Sequence, residues 1–515
     1  MALPELPLIL ALDIGSTSVR SLVFDLQGRP VEGLSSRRPV RINVSADGVS
    51  ELEPRETLDL VFDCLDELQG RIGQGALPPG GRVEGVAPCT FVTNLVGLDA
   101  KGRPLTPLST YADTSAEEEA ARLRTELDET EVHDRTGCRL HPSYLPARLR
   151  RWAGLDPGLF RRVGRWASLG EYLELTLFGQ TKISLSAASW TGLLDRRRLV
   201  WDRPLLETLG LTPERFSALA ALHRPRQGLK PEYARRWPAL ARAAWFPALG
   251  DGAAANIGSG CLGPDRVALT LGTSTALRAV MEAPAGRVPP GLFCYRVDHQ
   301  SSLLGGALTE GGGLYDWCRR TFNLPEGDRL QAVLQEMEPD SHGLAVLPFW
   351  SGERAPGWAG QARGSIAGLS LATEPVQILR AVMEAVALRL AAVHRLLSPF
   401  LNPDHILVAS GGALTNSPVW LGIMADTLGR PVEVPDLEEA TARGAALLAF
   451  RALGRLDDLS RTIPPPLLVR EPDPERHLLY QRAGEEQEKL YCRLIGPLKG
   501  GRTPDRGKGR NDESK

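Results

Sequence analysis

Leu8-Ile9-Leu10-Ala11-Leu12-Asp13-Ile14-Gly15-Ser16-Thr17-Ser18-Val19-Arg20-Ser21-Leu22-Val23-Phe24-Asp25 decides how the rest of the chain is read. Two apolar runs, residues 8–14 and 19–24, flank a Gly-Ser-Thr-Ser centre, a pattern that predicts a β-hairpin. The turn is chemically unusual. Gly15 lets backbone approach a ligand, three hydroxyls follow it, and successive unpaired N–H groups in such a turn form a concave anion site. Asp13 sits inside an otherwise apolar strand, where a carboxylate is costly without a partner. A hydrated Mg²⁺ would be such a partner, because Mg²⁺ keeps its waters and favours one or two carboxylates. The competing reading is an ordinary hairpin whose Asp13 faces solvent from a strand end.

The chain has 515 residues, which at about 100–200 residues per domain suggests two to four domains. Hydrophobic residues make up 43% and charged residues 24%, as in ordinary globular proteins. The net charge of −2 gives no reason to expect a nucleic-acid or anionic-membrane partner. Seven cysteines, at 64, 89, 138, 261, 294, 318 and 492, are odd in number and contain no Cys-x-x-Cys pair. That fits reduced thiols in the cytosol better than a disulfide framework or a zinc site. The N-terminus has no basic leader and no run of 18 apolar residues occurs, so neither signal peptide nor membrane span is expected and the location expected is cytoplasmic. Residues 499–515 are rich in Gly, Arg, Lys and Asp and are expected to be disordered.

Residues 56–68 place Leu58, Val61, Phe62, Leu65 and Leu68 at helical spacing. Residues 83–87 and 95–99 read as strands, 115–126 and 145–178 as amphipathic helix, and 180–250 as short helices among Pro- and Arg-rich loops. A second hairpin then follows in Val267-Ala268-Leu269-Thr270-Leu271-Gly272-Thr273-Ser274-Thr275-Ala276-Leu277-Arg278-Ala279-Val280. Laid on the first, it puts Thr270 on Asp13 and Gly272 on Gly15, an offset of 272 − 15 = 257 residues, close to half the chain. Two halves with one phosphate-binding hairpin each follow from this, with a boundary near 250–262. A third glycine site, Ser410-Gly411-Gly412-Ala413, ends a strand of buried type and precedes a helical pattern at 419–428, an arrangement that lets backbone lie against a nucleotide. Neither a Gly-x-x-x-x-Gly-Lys-Ser/Thr loop nor a Gly-x-Gly-x-x-Gly fingerprint is present.

Just before the second hairpin lies Gly250-Asp251-Gly252, leading into an Ala-rich helical stretch. Asp251 there can serve as an N-cap. At the boundary between two halves it can also serve as a general base, taking the proton of an attacking hydroxyl while a metal and the hairpin donors neutralise a moving phosphoryl group. The histidines at 133, 141, 299, 342 and 394 show no paired spacing, which argues against a His metal site.

The two Gly-Ser/Thr hairpins, the Gly-Asp-Gly turn and the Ser-Gly-Gly-Ala before a helix together resemble the FGGY carbohydrate kinases, within the sugar kinase–actin–heat-shock chaperone ATPase superfamily. The resemblance runs from about residue 8 to 454 and includes Pro146-Ala147-Arg148-Leu149-Arg150-Arg151-Trp152 and Arg363-Gly364-Ser365-Ile366-Ala367-Gly368-Leu369. It implies an α/β fold of two ribonuclease-H-like (actin-like ATPase) domains, each a mixed five-stranded sheet flanked by helices, with a cleft between them. The first domain, residues 1–252, would carry most of the sugar site and the first phosphate hairpin. The second, residues 253–496, would carry ATP, and residues 497–515 would be the tail.

By matching position, the resemblance implies that Asp13 holds Mg²⁺ through water, that Gly15, Ser16 and Thr17 face the γ-phosphate, and that Asp251 is the base. It also implies that Gly272 and Thr273 contact the phosphates and that Gly411, Gly412, Ala413 and Asn416 line the adenosine site. ATP and a small carbohydrate are then the expected ligands, and the resemblance is compatible with a homodimer.

Within the family, residues 186–195, 292–298, 305–308 and 351–356 look most like gluconate kinases. There are departures. Val92-Thr93-Asn94 stands where an aromatic or Met followed by His is common near the sugar, Arg148 where Lys is usual, and Thr309-Glu310 where small or amide residues are common, which adds a carboxylate near the cleft. Candidate substrate contacts are Thr93, Asn94, Tyr144 and Asp251, with helix packing as the alternative for Tyr144. Arg354 and Arg363 are candidates for ligand or interdomain pairing. The expected activity is ATP-dependent phosphorylation of a gluconate-like sugar acid. The alternatives are a ketose or polyol kinase (xylulose, ribulose, erythritol, glycerol) and a non-catalytic nucleotide- or sugar-binding sensor.

Overall fold

The computed structural model describes residues 6–283 and 286–497, so the tail expected to be disordered lies outside the described residues from 498 onward. Two mixed sheets organise the chain. In the first, β1 (Leu6–Ile14), β2 (Ser18–Phe24), β3 (Pro30–Pro39) and β4 (Gly81–Thr90) stand in the order β3-β2-β1-β4, and β5 (Ala244–Trp245) and β6 (Leu249–Gly250) follow one another along the far side of β4. The tight turn makes β1 and β2 antiparallel, whereas β1 and β4 are parallel and so need a crossover. Helix α1 (Pro54–Gly73) supplies it. It starts with proline in its first turn and buries Leu58, Val61, Phe62, Leu65 and Leu68 along one face, the stripe anticipated from their spacing.

The second sheet repeats this plan. β7 (Arg266–Leu271), β8 (Thr275–Glu282), β9 (Phe293–Arg296), β10 (Ser301–Leu308), β11 (Ile406–Ser410), β12 (Val432–Pro435) and β13 (Pro466–Arg470) stand in the order β9-β10-β8-β7-β11-β12-β13. β7 is antiparallel to β8 and parallel to β11, as β1 is to β2 and β4. The register makes the likeness residue-specific. Asp13 lies opposite Arg20 and beside Cys89, and its counterpart Thr270 lies opposite Ala276 and beside Ser410. The first sheet is five strands wide, as expected. The second is seven wide, because β9 and β13 add themselves to its edges.

Residues 145–178 are not one helical run. α2 (Leu145–Leu155) ends before Pro157, a short helix follows, and Arg165–Ala167 form a strand paired with Val96–Leu98 before α3 (Leu169–Phe178) begins. Gly164 allows the turn by approaching Ala100 closely, and burying Trp166 outweighs helical periodicity. After β11, a single turn (Gly412–Thr415) intervenes before the helix expected at 419–428.

The two sheets meet through helices α4 (Asp251–Gly258) and α5 (Ala440–Ala452). A Cβ on Gly258 would lie 1.8 Å from the Ala440 carbonyl oxygen, and one on Gly444 1.8 Å from that of Ala254, so only glycine lets these backbones touch. α5 also rests on β1 and β4 of the first sheet. On the other side of the seam the edge strand β9 is joined to the first half. Cys294 N donates to Gly137 O at 3.0 Å, Arg296 N donates to Ser189 Oγ at 2.9 Å, and the His133 ring meets Leu292 O at 2.8 Å. No helix among the described residues is long and apolar enough to cross a membrane.

Candidate active site

The first hairpin turns as its sequence predicts. Gly15 N donates to Ser18 O at 3.0 Å, and the N–H groups of Ser16 and Thr17 make no hydrogen bond among the described residues. Asp13 does not face solvent; it is 2% exposed. Its partner is also nearer in sequence than a metal. Arg20, directly across the strand pair, donates to Asp13 Oδ2 at 2.5 Å and to Glu439 Oε2 at 2.5 Å, tying the first half to the second. Burial nevertheless wins at Asp13. It raises the carboxyl above its usual range, Arg20 lowers it, and Glu439 raises it again.

Asp251 stands at the C-terminal end of the neighbouring strand position, one residue beyond β6, whose Gly250 pairs with Thr90. Gly250 occupies the N-cap position of α4, so Asp251 is the first helical residue and its Oδ1 accepts the Gly252 N–H at 2.7 Å. The N-cap role that the sequence allowed therefore falls to Gly250. Burial pushes the Asp251 carboxyl up to about 6; Arg278 opposes this and Asp13 adds to it. A carboxylate held in that range ionises near neutrality yet keeps enough basicity to take a hydroxyl proton.

Around Asp251 the two halves build an aromatic wall. Trp190 stacks on Tyr295 with centroids 3.7 Å apart, Tyr295 stacks on Phe293 at 4.4 Å, and Tyr144 lies 6.1 Å from Trp358. The Tyr144 and Tyr295 hydroxyls meet at 2.5 Å across the seam. Trp190 also covers the Gly250-Asp251-Gly252 turn: a Cβ on Gly250 or Gly252 would lie 2.8 or 3.0 Å from its ring. The gluconate-kinase-like stretches 186–195 and 292–298 thus come together at one place, through Trp190 and Tyr295.

Of the proposed substrate contacts, Thr93 and Asn94 part ways. Asn94 donates to Phe91 O and accepts the Leu169 N–H at 2.6 Å, so its amide holds the start of α3. Thr93 has a left-handed φ of 55° and a buried hydroxyl without a partner. Arg148 fixes that conformation. It donates to Thr93 O at 2.5 Å, Pro142 O at 2.9 Å and Ser143 O at 3.0 Å, a fork that lysine's single ammonium does not reproduce. Burial lowers Arg148 to about 10. Tyr144 is fully buried in the wall, bonded to Tyr295.

In the second half, Gly272 and Thr273 meet a segment that was not singled out in the sequence. Gly312 N donates to Gly272 O at 2.7 Å and Gly313 N to Thr273 O at 3.2 Å. Gly411 (φ 94°) completes the cluster: a Cβ there would lie 2.4 Å from Leu271 O. A Cβ on Gly312 would lie 2.9 Å from that of Ala413. Gly412 and Asn416 lie exposed at the outer rim, on the single turn that follows β11. A run of three glycines, residues 311–313, just after a strand was the available signal. Glu310, the carboxylate that the sequence adds near the cleft, is 8% exposed and accepts the Ser351 N–H at 2.7 Å, so its carboxylate is turned into the 351–354 loop. Arg363 is exposed and donates to Ala362 O at 2.9 Å in its own loop, whereas Arg354 has a buried Nε without a partner.

One His/Asp/Glu grouping with ligand geometry occurs among the described residues, Asp340, His342 and Glu384. Its centre is already satisfied. Glu384 accepts from Arg380 Nε at 2.6 Å and Tyr480 OH at 3.1 Å, and lies 3.1 Å from His342 Nε2, a structural network rather than a vacant ligand set.

Residues 8–258 match the N-terminal domain, and residues 267–453 the C-terminal domain, of the FGGY family of carbohydrate kinases. The chain is 27% identical to the gluconokinase of Bacillus subtilis over 460 residues, which cover 87% of this chain and 88% of the relative. It is 30% identical to a glycerol kinase of Leptothrix cholodnii, covering 89% and 95%. Among solved structures, the gluconate kinase from Lactobacillus acidophilus superposes with a TM-score of 0.87 and the xylulose kinase from the same organism with 0.88. Each is 25% identical and covers 96% of this chain and 99% of its own.

Proposed function

Because the chain belongs to the FGGY family of carbohydrate kinases and is an ATP-dependent sugar kinase, we propose that its acceptor is a gluconate-like sugar acid and that Asp251 is the base. The observation that carries this reading is the Asp251 carboxyl, held near 6 at the junction of the halves and walled by Trp190. In this scheme the two halves divide near 252/253. The acceptor lies against Thr93, Trp190 and the Tyr144–Tyr295 pair, and its reacting hydroxyl points at Asp251. ATP lies over Gly272, Thr273, Gly411, Gly412 and Ala413, with Asn416 at the rim, and its γ-phosphate points to Gly15, Ser16 and Thr17.

The free N–H groups of Ser16 and Thr17 then hold phosphate oxygens, while Asp251 takes the hydroxyl proton as the oxygen attacks. The residues present fit a hydrated Mg²⁺ at Asp13. Three carboxylates, Asp13, Asp251 and Glu439, act on this spot, and Asp13 is held above its usual range despite Arg20, so a second cation would relieve it. When bound, Mg²⁺ supplies charge neutralisation on the phosphates. Arg20 holds the Asp13 carboxylate in place, and its second bond, to Glu439, helps close the halves against water.

A ketose or polyol acceptor is the second reading, favoured by the xylulose and glycerol kinases among the similar proteins. An ADP-release screen over gluconate, xylulose, ribulose, erythritol and glycerol, with Asp251→Asn as control, separates the two. Gluconate as the best acceptor supports the first. Release without any acceptor dependence, or undiminished in Asp251→Asn, would sink the assignment of the base.

A further inference from the structure

We propose that Arg278 and Arg354 form an anion clamp at the acceptor end of the cleft, receiving the carboxylate of a sugar acid, and that this pair determines the chain's specificity. The inference deepens the kinase reading above and rests on it.

The first support is an imbalance. A buried guanidinium is expensive unless oxygen acceptors surround it, and most buried arginines here are served. Arg148 holds carbonyl oxygens, Arg380 bonds Glu384 and Tyr480, Arg389 bonds Glu353, and Arg443 reaches Gly28 O at 3.0 Å. Arg278 and Arg354 are half-buried; they make no side-chain hydrogen bond and no ion pair among the described residues, and the Nε of each is buried without a partner. Arg296 shares this shortage, but it follows Tyr295 in β9 and so points to the opposite face of the sheet from the wall.

The second support is position. A Cβ on Gly252 would lie 3.6 Å from the Arg278 guanidinium carbon, which puts that cation beside the catalytic turn. Arg278 can lie there because Gly305 stands directly across the strand pair and offers no side chain; a Cβ at Gly305 would be 3.2 Å from Arg278 Cγ. Arg354 opens the Arg354–Trp358 turn, whose Trp358 N–H returns to Arg354 O at 2.6 Å and whose indole packs against Tyr144 and His141. The charge of Arg354 is felt at His141, Tyr144, Tyr295 and Arg278, all groups of the same wall.

Arg354 lowers Arg278 while Asp251 raises it, yet neither guanidinium has a hydrogen-bonded acceptor among the described residues, an arrangement that an anion placed between them would complete. A carboxylate suits this best, because a guanidinium binds it through two parallel hydrogen bonds. The nucleotide's phosphates are a poorer candidate, since the free N–H groups that would hold them are at Ser16 and Thr17. Glu310 does not fill the gap, for its carboxylate is taken by Ser351 N. Trp190 Nε1 and Thr93 Oγ1, also buried and unpaired, remain for hydroxyls of the same ligand.

The test compares gluconate with glucitol, which replaces the carboxylate by an uncharged CH₂OH at equal chain length. Full-length wild type, Arg354→Gln, Arg354→Lys and Arg278→Gln are assayed by ADP release, and gluconate binding is followed by tryptophan fluorescence, since Trp190 and Trp358 line the site. Loss of a charge-assisted pair should cost about 10- to 100-fold in affinity. Arg354→Gln should therefore raise KM for gluconate by that factor, with a smaller change in kcat, and should lower the gluconate-over-glucitol ratio of kcat/KM equally. Arg354→Lys should recover part of it.

A ratio unchanged in both glutamine variants overturns the clamp, as does a wild type that phosphorylates xylulose or glycerol but neither binds nor phosphorylates gluconate; in that case the kinase reading stands alone. A wild type that binds gluconate in an Arg354-dependent way yet turns over no acceptor supports the clamp and removes the gluconate-kinase reading.

Discussion

Asp251→Asn should make this protein more stable while removing its turnover. Burial raises the carboxyl from the usual 3.8 to about 6, a shift of roughly 2 units, worth about 3 kcal/mol at ~1.4 kcal/mol per unit. The sign follows from proton counting. The folded state holds its proton to higher pH than the unfolded state, so this group's contribution is fully present below about pH 4 and is lost as pH rises through about 6. At pH 7 the wild type carries an ionised, poorly solvated carboxylate, whereas asparagine keeps the shape and the bond from Gly252 N without the charge. Urea unfolding at pH 7 should then show the variant ahead by up to about 3 kcal/mol, and at pH 4 the advantage should vanish. The same variant should lose about 10²- to 10⁴-fold in kcat, the usual worth of a positioned base, and wild-type kcat/KM should fall with unit slope below about pH 6. Equal stability of variant and wild type at pH 7, or turnover within a few-fold of wild type, would refute both the environment assigned to Asp251 and its role.

Three further perturbations probe the rest of the site. Gly411→Ala forces a Cβ to within 2.4 Å of Leu271 O at a φ of 94°; ATP titration should show KM raised more than about 10-fold for a strain of roughly 1–3 kcal/mol, and an unchanged value would remove Gly411 from the nucleotide site. Asp13→Asn deletes the carboxylate proposed to carry Mg²⁺, and the Mg²⁺ concentration for half-maximal rate should rise at least about tenfold; an unshifted titration would place the metal elsewhere. Tyr144→Phe removes a hydroxyl bond that spans the seam and orphans Tyr295, a cost of about 1–3 kcal/mol. Acceptor KM should rise, and ATP hydrolysis without acceptor should increase several-fold as the seam loosens.

Both hairpins were legible because each is local: period-2 apolar runs around a glycine turn need no distant partner. The place of Asp251 at the start of α4 was legible because two glycines bracket it and the two hairpins, 257 residues apart (272 − 15), bracket them. The helical periodicity of 145–178 misled because Trp166 gains more by pairing its strand with Val96–Leu98 than by continuing a helix. Asn94 has a local role that its sequence neighbours do not reveal, its amide bonding Phe91 O and Leu169 N. Arg278 was the real omission. An arginine in the middle of a buried strand looks like a tolerated surface charge until the register sets it opposite Gly305. Its partner is 76 residues on (354 − 278), in a loop whose approach to the wall is set by Ala355 N bonding Ala307 O at 3.0 Å. No window along the chain contains both.

Three of the stretches that look most like gluconate kinases come together in the fold. Residues 186–195 contribute Trp190 and Ser189, residues 292–298 contribute Phe293, Tyr295 and the Arg296 N–H that Ser189 accepts, and residues 351–356 contribute Arg354. They come from both halves of the chain, and residues 186–195 meet 292–298 through Trp190–Tyr295 and Ser189–Arg296. A pocket whose wall is half from each side of a cleft exists in full only when the cleft is closed. Tyr144–Tyr295, Ser189–Arg296 and Arg20–Glu439 are then contacts that any opening must break. An acceptor that satisfies Arg278 and Arg354 adds free energy to the closed arrangement alone, and a neutral one of the same length adds less. Discrimination between acceptors would therefore be expressed as closure, the step that also keeps water from the γ-phosphate.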